Sequence, residues 1–230
     1  MAAQTPRKQL IIVGAGFAGI TLAKALRDVP IDILVVDKQN HHLFQPLLYQ
    51  VATAALSPAD IAYPIRRVFR SQPNVTVVLG TVERLDLARH QVCGGRVCVD
   101  FDYLAVCVGA THSYFGQEAA WARRAPGLKT LDDATEIRRR VLLAFEEAEF
   151  EEDEAARRAK LTFVIVGGGP TGVELAGALR EIAADELQKD FRNIDTGTSR
   201  IILVQGADRL LPQFPPALGE HARRDLEAMG

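Results

Sequence analysis

The chain has 230 residues, 48% of them hydrophobic and 24% charged, with a formal net charge of −2 at pH 7, which predicts a soluble globular protein of one or two domains. This charge gives no electrostatic basis for binding nucleic acid, and no apolar run approaches the ~18 residues that would span a bilayer. The three cysteines predict no disulfide framework, and the first nine residues lack the apolar segment of a signal peptide, so a reducing, cytoplasmic location is expected.

The first ordered pattern is an apolar run, Leu10 to Val13, that ends in the glycine motif Gly14-Ala15-Gly16-Phe17-Ala18-Gly19. An amphipathic helix is predicted from Phe17 to Arg27, and a second apolar run, Ile31 to Val36, closes on Asp37, 18 residues beyond the last glycine. Strand, glycine turn, helix, strand and acid form the layout of a dinucleotide-binding βαβ unit. In such a unit a pyrophosphate lies on the helix N-terminus and the acid accepts a hydrogen bond from a ribose hydroxyl.

The segment that follows is predicted to add a loop, short helices and further strands. A loop over 38–53 leads into a short helix, and the next helix begins with Ser57 as its N-cap and Pro58 in its first turn. The predicted strands cover 74–79, 82–86 and 104–108, the last of which ends in Gly109-Ala110-Thr111.

Residues 91–103 are predicted to form a hairpin, with Gly94-Gly95 as its two-residue turn. On that register Cys93 and Cys98 are not cross-strand partners, and we interpret them as small packing residues. A long helix is then predicted over 130–159, because apolar residues recur at three- and four-residue spacing. Its densely charged tail is interpreted as a solvated helix end between domains.

The first pattern returns after residue 160. An apolar strand, Leu161 to Val166, is followed by Gly167-Gly168-Gly169-Pro170-Thr171-Gly172, a helix predicted from Val173 to Leu187, and a strand from Arg200 to Val204. The glycines repeat the spacing of the first motif, which predicts a second dinucleotide site. Two such sites in one chain most simply move a hydride between a flavin that stays bound and a nicotinamide that comes and goes.

The residue that closes the second unit is Gln205, where an acid would normally bind the NADH ribose. Glutamine can hydrogen-bond the ribose hydroxyls, but it does not repel a 2′-phosphate. Arg209, four residues further on, could contact that phosphate. The hypothesis is therefore that the chain discriminates only weakly between NADH and NADPH.

Four segments carry a resemblance to a known family: FQPLLYQVAT (Phe44–Thr53), LSPADIAYPIR (Leu56–Arg66), VGATHSYFG (Val108–Gly116) and VGGGPTGVELAGAL (Val166–Leu179). In these segments the chain resembles the type II NADH dehydrogenases, single-subunit flavoenzymes that pass electrons from NADH to a membrane quinone without pumping protons. The resemblance implies an α/β fold with two Rossmann-like dinucleotide-binding domains. The implied parts are an FAD-binding domain over 1–115, a connecting segment and helix over 116–159, and an incomplete NAD(P)H-binding domain over 160–230.

The resemblance also implies which residues form the sites. Glu174 would be the catalytic residue, facing the contact between nicotinamide and flavin; a carboxylate in the first helical turn, favoured by the helix dipole, is the alternative interpretation. The residues implied to bind the cofactors are Gly14, Ala15, Gly16, Phe17, Ala18, Gly19, Asp37, Lys38, Pro46, Leu47, Val82, Gly109, Ala110, Gly167, Gly169, Pro170, Thr171, Gly172 and Gln205.

The cofactors implied are FAD and NADH, with NADPH as an alternative, and the acceptor is a quinone. Two other functions stay open: a soluble flavin reductase that serves a ferredoxin-type protein, and a catalytically incomplete nucleotide-binding fragment. No metal site is predicted, because the adjacent His41 and His42 do not easily aim at one ion. Residues 38–53 contain no cysteine, which argues against a disulfide reductase.

The resemblance covers roughly the first half of a typical family member. We therefore expect a truncated enzyme, in which contact with the cytoplasmic face of a membrane would come only through a missing C-terminal part. The open sheet edge expected in the second domain favours association, such as a homodimer. No nucleic-acid partner is predicted.

Overall fold

The computed structural model describes residues 7–230, and its contacts divide the chain into two units. Among the described residues, the first unit comprises those up to Phe44 together with Ala62–Thr111, and the second comprises Gln45–Ile61 and His112–Gly230. The strands and helices, numbered in chain order, are β1 (Lys8–Val13), α1 (Phe17–Ala25), β2 (Ile31–Asp37), β3 (His41–Leu43), α2 (Leu48–Ala52), α3 (Pro58–Ile61), β4 (Ala62–Pro64), α4 (Ile65–Val68), β5 (Val75–Leu79), β6 (Arg84–Asp86), β7 (Gln91–Gly94), β8 (Val97–Asp100), β9 (Tyr103–Val106), α5 (Glu118–Trp121), α6 (Leu131–Glu149), α7 (Glu154–Lys160), β10 (Thr162–Val166), α8 (Pro170–Glu181), β11 (Arg200–Val204) and α9 (Pro216–Met229).

The first unit is built on a four-stranded sheet with the order β5-β2-β1-β9, and every pair in it is parallel. β1 lies in the interior of this sheet, and four successive residues, Leu10 to Val13, are buried. Such a run is typical of a parallel strand covered on both faces. On one face Ile12 packs with Ile20 and Ala23 of α1, while on the other Ile11 and Val13 pack with Val92 of β7. The predicted α/β fold class is confirmed.

The hairpin prediction is wrong by one residue. The antiparallel pairing of β7 with β8 places Gly94 opposite Val97, so that the two-residue turn is Gly95-Arg96, and Gly95 has φ +57°. Gly94 instead lies against the carbonyl oxygen of Thr81, which a Cβ at this position would strike. As a consequence Cys93 and Cys98 are cross-strand partners, and they form a disulfide. The expectation that the three cysteines form no disulfide is therefore also wrong.

The second unit contains the parallel pair β10 and β11, with α8 packed against both strands. Phe145 of α6 is fully buried and lies 5.4 Å from Phe163 and 6.0 Å from Phe191, measured between ring centroids. The short helix α2 packs against α6 and α8 within the same unit.

The single long helix predicted over 130–159 is two helices. α6 ends at Glu149, and α7 begins after Asp153, whose side chain accepts a hydrogen bond of 2.7 Å from the N–H of Ala156. A run of carboxylates is unfavourable at a helix C-terminus and favourable at an N-terminus, so the acidic stretch ends one helix and caps the next. Arg157 donates to the carbonyl oxygen of Glu151 in the intervening turn.

Helix α8 begins earlier than predicted. Pro170 occupies its first position, where proline fits because the missing N–H would have no partner in the helix. The regular helix ends at Glu181 and continues as a π-helical segment, Ile182–Glu186. In the part of the chain that the structure describes, residues 7–230, no helix combines the length and apolar character needed to cross a membrane.

The third glycine of each motif holds its helix close to the preceding turn. A Cβ built on Gly19 would strike the carbonyl oxygen of Gly14, and one built on Gly172 would strike the carbonyl oxygen of Gly167. Since these are backbone atoms, no side-chain movement could relieve the clash. Gly177, in the same helix as Gly172, differs, because its Cβ would meet only a Leu226 methyl carbon at 3.9 Å.

We predict that Gly172→Ala lowers the free energy of unfolding by about 3 kcal/mol, the cost of overpacking against atoms that do not yield. The matched variant Gly177→Ala should raise it by up to about 1 kcal/mol, since alanine is the better helix former. Urea unfolding followed by circular dichroism measures both. Equal stability of Gly172→Ala and the wild type would contradict the close approach.

Candidate functional site

The first glycine turn connects β1 to α1 and presents a helix N-terminus. Gly14 has φ +101°, and its N–H donates to the carbonyl oxygen of Val36 at 2.8 Å. Gly16 is the N-cap of α1, with φ −74° and ψ −165°, and no side chain of the described residues caps this end. A Cβ at Gly16 would meet no atom within 4 Å. The first N–H groups of α1 are therefore open to an anion, which fits the pyrophosphate of a dinucleotide.

Asp37 lies directly against this turn. Its Oδ2 accepts a hydrogen bond of 2.6 Å from the N–H of Ala15, and its Oδ1 accepts one of 2.8 Å from the N–H of Gln39. The carboxylate is thus held at the C-terminal end of β2, beside the helix N-terminus. That is the position from which an acid reaches the ribose of a dinucleotide whose phosphates lie on the helix.

An aromatic group beside the turn was not predicted from the sequence. His42 lies edge-on to Phe17 at 5.1 Å between ring centroids, and Phe44 contacts Phe17 in the same way at 5.6 Å. Nδ1 of His42 is 3.1 Å from the carbonyl oxygen of Ala15, between the first two glycines. The sequence signal is the run HHLF, whose two histidines were interpreted only in terms of metal binding. The structure instead places His42 as a support for the glycine turn.

The other residues predicted to bind cofactor in the first unit differ in their position and exposure. Directly after β9, the N–H of Cys107 donates a hydrogen bond of 2.7 Å to the carbonyl oxygen of Val13. The chain therefore passes close to Gly14 just before it reaches Gly109, which has φ +68°, and Ala110. Ala18 and Lys38 are exposed. Val82 is half-buried in the apolar cluster of Val13 and Val36.

The second glycine turn repeats this geometry within the second unit. Gly167 has φ +114°, and its N–H donates to the carbonyl oxygen of Val204 at 2.8 Å. Gly169 is the N-cap of α8, with φ −77° and ψ −178°, and a Cβ there would also meet nothing within 4 Å. Pro170 and Thr171 are exposed in the first turn of the helix. The second helix N-terminus therefore has the same open anion site as the first.

Gln205 occupies in the second unit the position that Asp37 occupies in the first. Its Oε1 accepts a hydrogen bond of 2.9 Å from the N–H of Gly168, as Asp37 accepts one from Ala15. The amide Nε2 of Gln205 remains available as a donor to a ligand. Arg209 is less available, because its guanidinium donates to the carbonyl oxygens of Phe214 at 2.9 Å and Pro212 at 2.7 Å.

Glu174 also belongs to the second unit, in the second turn of α8. It is the fifth residue of the helix, so the dipole of the first turn does not account for it. Glu174 is exposed, yet partial desolvation raises the pKa of its carboxyl above its ordinary value, whereas a helix dipole would lower it. Pro46 and Leu47 form a 3-10 turn that leads directly into α2, which packs on α8.

Comparison with known proteins shows which enzymes the chain resembles. The chain is 45% identical over 233 residues to the type II NADH:quinone oxidoreductase Ndh of Mycobacterium tuberculosis, covering 99% of the chain and 50% of that protein. It is 47% identical over 227 residues to NdhA of the same organism, covering 97% of the chain and 48% of that protein. The chain thus spans about half the length of the curated relatives it matches.

A solved structure shows the same fold. The structure of NDH2 from Plasmodium falciparum in complex with NADH superposes with a TM-score of 0.85 at 22% identity, over 97% of this chain and 47% of that one. Residues 8–230 match the pyridine nucleotide-disulphide oxidoreductase family. The chain therefore belongs to the pyridine nucleotide-disulphide oxidoreductase family, and its resemblance to the type II NADH:quinone oxidoreductases is confirmed.

Proposed function

We propose that the chain provides the two dinucleotide sites of an NADH:quinone oxidoreductase that does not pump protons. FAD is held by the first unit and NADH by the second. When bound, FAD would supply the redox chemistry, that is, hydride transfer from the nicotinamide and onward transfer of electrons to a quinone. The observation that carries the proposal is the repetition of one geometry, an open helix N-terminus with a side-chain acceptor held against the glycine turn, in both units.

In the first unit, the N–H groups at the start of α1 bind the pyrophosphate of FAD, and the Asp37 carboxylate accepts from the adenosine ribose. His42 keeps the turn in place through its contact with the Ala15 carbonyl. The exposed ring of Phe17 offers an apolar surface beside the phosphates. Gly109 and Ala110, which follow β9 past Gly14, complete this side of the site.

In the second unit, the start of α8 binds the pyrophosphate of the nicotinamide dinucleotide, and Gln205 binds its ribose. We assign Glu174 to the nicotinamide end, where it orients the ring or exchanges a proton. Two observations support this assignment: its raised pKa, and its place one turn beyond the pyrophosphate-binding residues on the same helix. Pro46 and Leu47 are proposed to lie beside the flavin ring.

Quinone as the acceptor, and peripheral contact with the cytoplasmic face of a membrane, are proposed from the similarity to the two Mycobacterium tuberculosis enzymes. A homodimer is proposed because the β10–β11 sheet has only two strands among the described residues and leaves strand edges that can associate.

The proposal is tested on the purified chain loaded with FAD. Addition of NADH should bleach the flavin absorbance, and a water-soluble quinone should restore it faster than ferredoxin does. Faster restoration by ferredoxin would favour a soluble flavin reductase. A protein that binds ADP-ribose but shows no bleaching with NADH would be a nucleotide-binding fragment only.

We predict that alanine at the second glycine of each motif weakens the binding of only one of the two cofactors. Gly16→Ala should raise the Kd for FAD about tenfold or more, equivalent to ~1.4 kcal/mol, because the methyl group enters the space of the phosphate. Gly169→Ala should do the same for NADH and leave FAD unaffected. Isothermal titration of both ligands against both variants provides the measurement, and each variant is the control for the other. A variant that weakens both ligands equally would contradict the assignment.

We predict that Gln205→Glu makes the chain selective for NADH. A carboxylate at this position repels the 2′-phosphate of NADPH, so the ratio of the Kd for NADPH to that for NADH should rise about tenfold, or ~1.4 kcal/mol. Arg209→Gln is the matched control and should leave the ratio within about twofold, because the Arg209 guanidinium is bound to two carbonyl groups. An unchanged ratio of the two Kd values in Gln205→Glu would contradict the assignment of Gln205 to the ribose site.

We predict an opposite pH dependence of stability at two glutamates. The pKa of Glu174 is raised by burial, so stability is fully present below the ordinary glutamate pKa and is lost as pH rises through the raised value. Glu174→Gln should therefore gain urea resistance relative to wild type between pH 4 and pH 7. The pKa of Glu220 is lowered by Arg223, so its contribution to stability is present above the ordinary glutamate pKa and is lost as pH falls through the lowered value. Glu220→Gln should therefore be less urea-resistant than wild type at neutral pH, and the difference should shrink only below about pH 4. Parallel curves for wild type and Glu174→Gln would contradict the raised pKa.

A further inference from the structure

The disulfide of the first unit lies outside both dinucleotide sites. Cys93 and Cys98 are opposite each other on β7 and β8, one pair away from the Gly95-Arg96 turn, with Cα atoms 4.1 Å apart. The two sulfur atoms differ in environment, because Cys93 is only 6% exposed while Cys98 is exposed. The proposed function uses neither residue.

A positive charge lies against both sulfur atoms. Nη2 of Arg84, on the neighbouring strand β6, is 3.3 Å from Sγ of Cys93 and 3.9 Å from Sγ of Cys98. Nη1 of the same guanidinium is 3.2 Å from a carboxylate oxygen of Asp86, which holds the side chain in position. A guanidinium beside a cysteine stabilises the thiolate relative to the thiol. The hairpin therefore has the feature that a disulfide needs in order to exchange with thiols: a stabilised leaving group.

Contacts other than the S–S bond also hold the hairpin in place. β7 is hydrogen-bonded to both β6 and β8, and the buried Val92 packs against Ile11, Val13 and Val36 of the main sheet. The disulfide closes a short loop, with a sequence separation of 5, and such short loops constrain the unfolded chain least. Reduction is thus expected to occur within the folded chain.

We propose that Cys93 and Cys98 are a reversible thiol–disulfide couple that exchanges with low-molecular-weight thiols. The thiolate of a small monothiol attacks the exposed Sγ of Cys98, the Cys93–Cys98 bond breaks, and Cys93 leaves as a thiolate beside Arg84. A second small thiol attacks the small-thiol sulfur of this mixed disulfide, so that Cys98 leaves as a thiolate and a small-molecule disulfide is released. Two small thiols are oxidised, the protein disulfide gains two electrons, and both cysteines end as thiols or thiolates.

The test follows reduction of the folded chain by glutathione, with alkylation of the free thiols and peptide mass spectrometry. Trypsin cleaves after Arg96, so Cys93 and Cys98 fall on separate peptides. Arg84→Gln should slow the release of Cys93 about fivefold or more, because its leaving thiolate loses a charge partner. Arg89→Gln removes a nearby arginine that pairs with Asp86 at 3.9 Å and should change the rate less than about twofold.

Equal rates for Arg84→Gln and the wild type would overturn the proposal, as would free thiols at both cysteines in the air-oxidised folded chain. Two further variants test the direction of attack, and they keep the proposal open to refutation if Arg84→Gln fails to fold. Oxidised glutathione should form a mixed disulfide with Cys98 in Cys93→Ser at least about tenfold faster than with Cys93 in Cys98→Ser, because Cys93 is buried. A faster reaction at Cys93 would overturn it.

Discussion

The structure depends on the close approach of each glycine-motif helix to the carbonyl oxygen of the turn before it. Gly19 and Gly172 permit this approach because they lack a Cβ, and no other side chain fits at either position. The approach fixes where each helix begins relative to its strand, and hence where its unpaired N–H groups point. An anion site at the end of a parallel strand follows from this one backbone contact.

The side chains added to this common frame distinguish the two units. Asp37 and Gln205 accept the equivalent backbone hydrogen bond, yet one is charged and the other is not. Under the proposed function, the frame would place a ribose at the strand end, and the side chain there would determine which phosphate pattern is tolerated. Under the same proposal, one repeated fold serves a cofactor that stays bound and a substrate that leaves.

Most of the frame was predictable because its causes are local. The strand from Arg200 to Val204 was predicted at both ends, and the starts of α1 and β2 were predicted to the residue. One error depends on a distant neighbour, and the other on local helix capping. The hairpin turn shifted by one residue because Gly94 lies against Thr81, and the long helix broke because its acidic stretch caps a second helix.

By itself, the sequence determined the two glycine turns, their spacing and the residue that closes each unit, because steric limits on the backbone act within a few residues. Only the tertiary structure decided the pairing of Cys93 with Cys98, the contact of His42 with the Ala15 carbonyl and the desolvation that raises the pKa of Glu174. These features depend on register and on packing between separate segments, and a one-residue change in register exchanges the partners of every side chain on the strand.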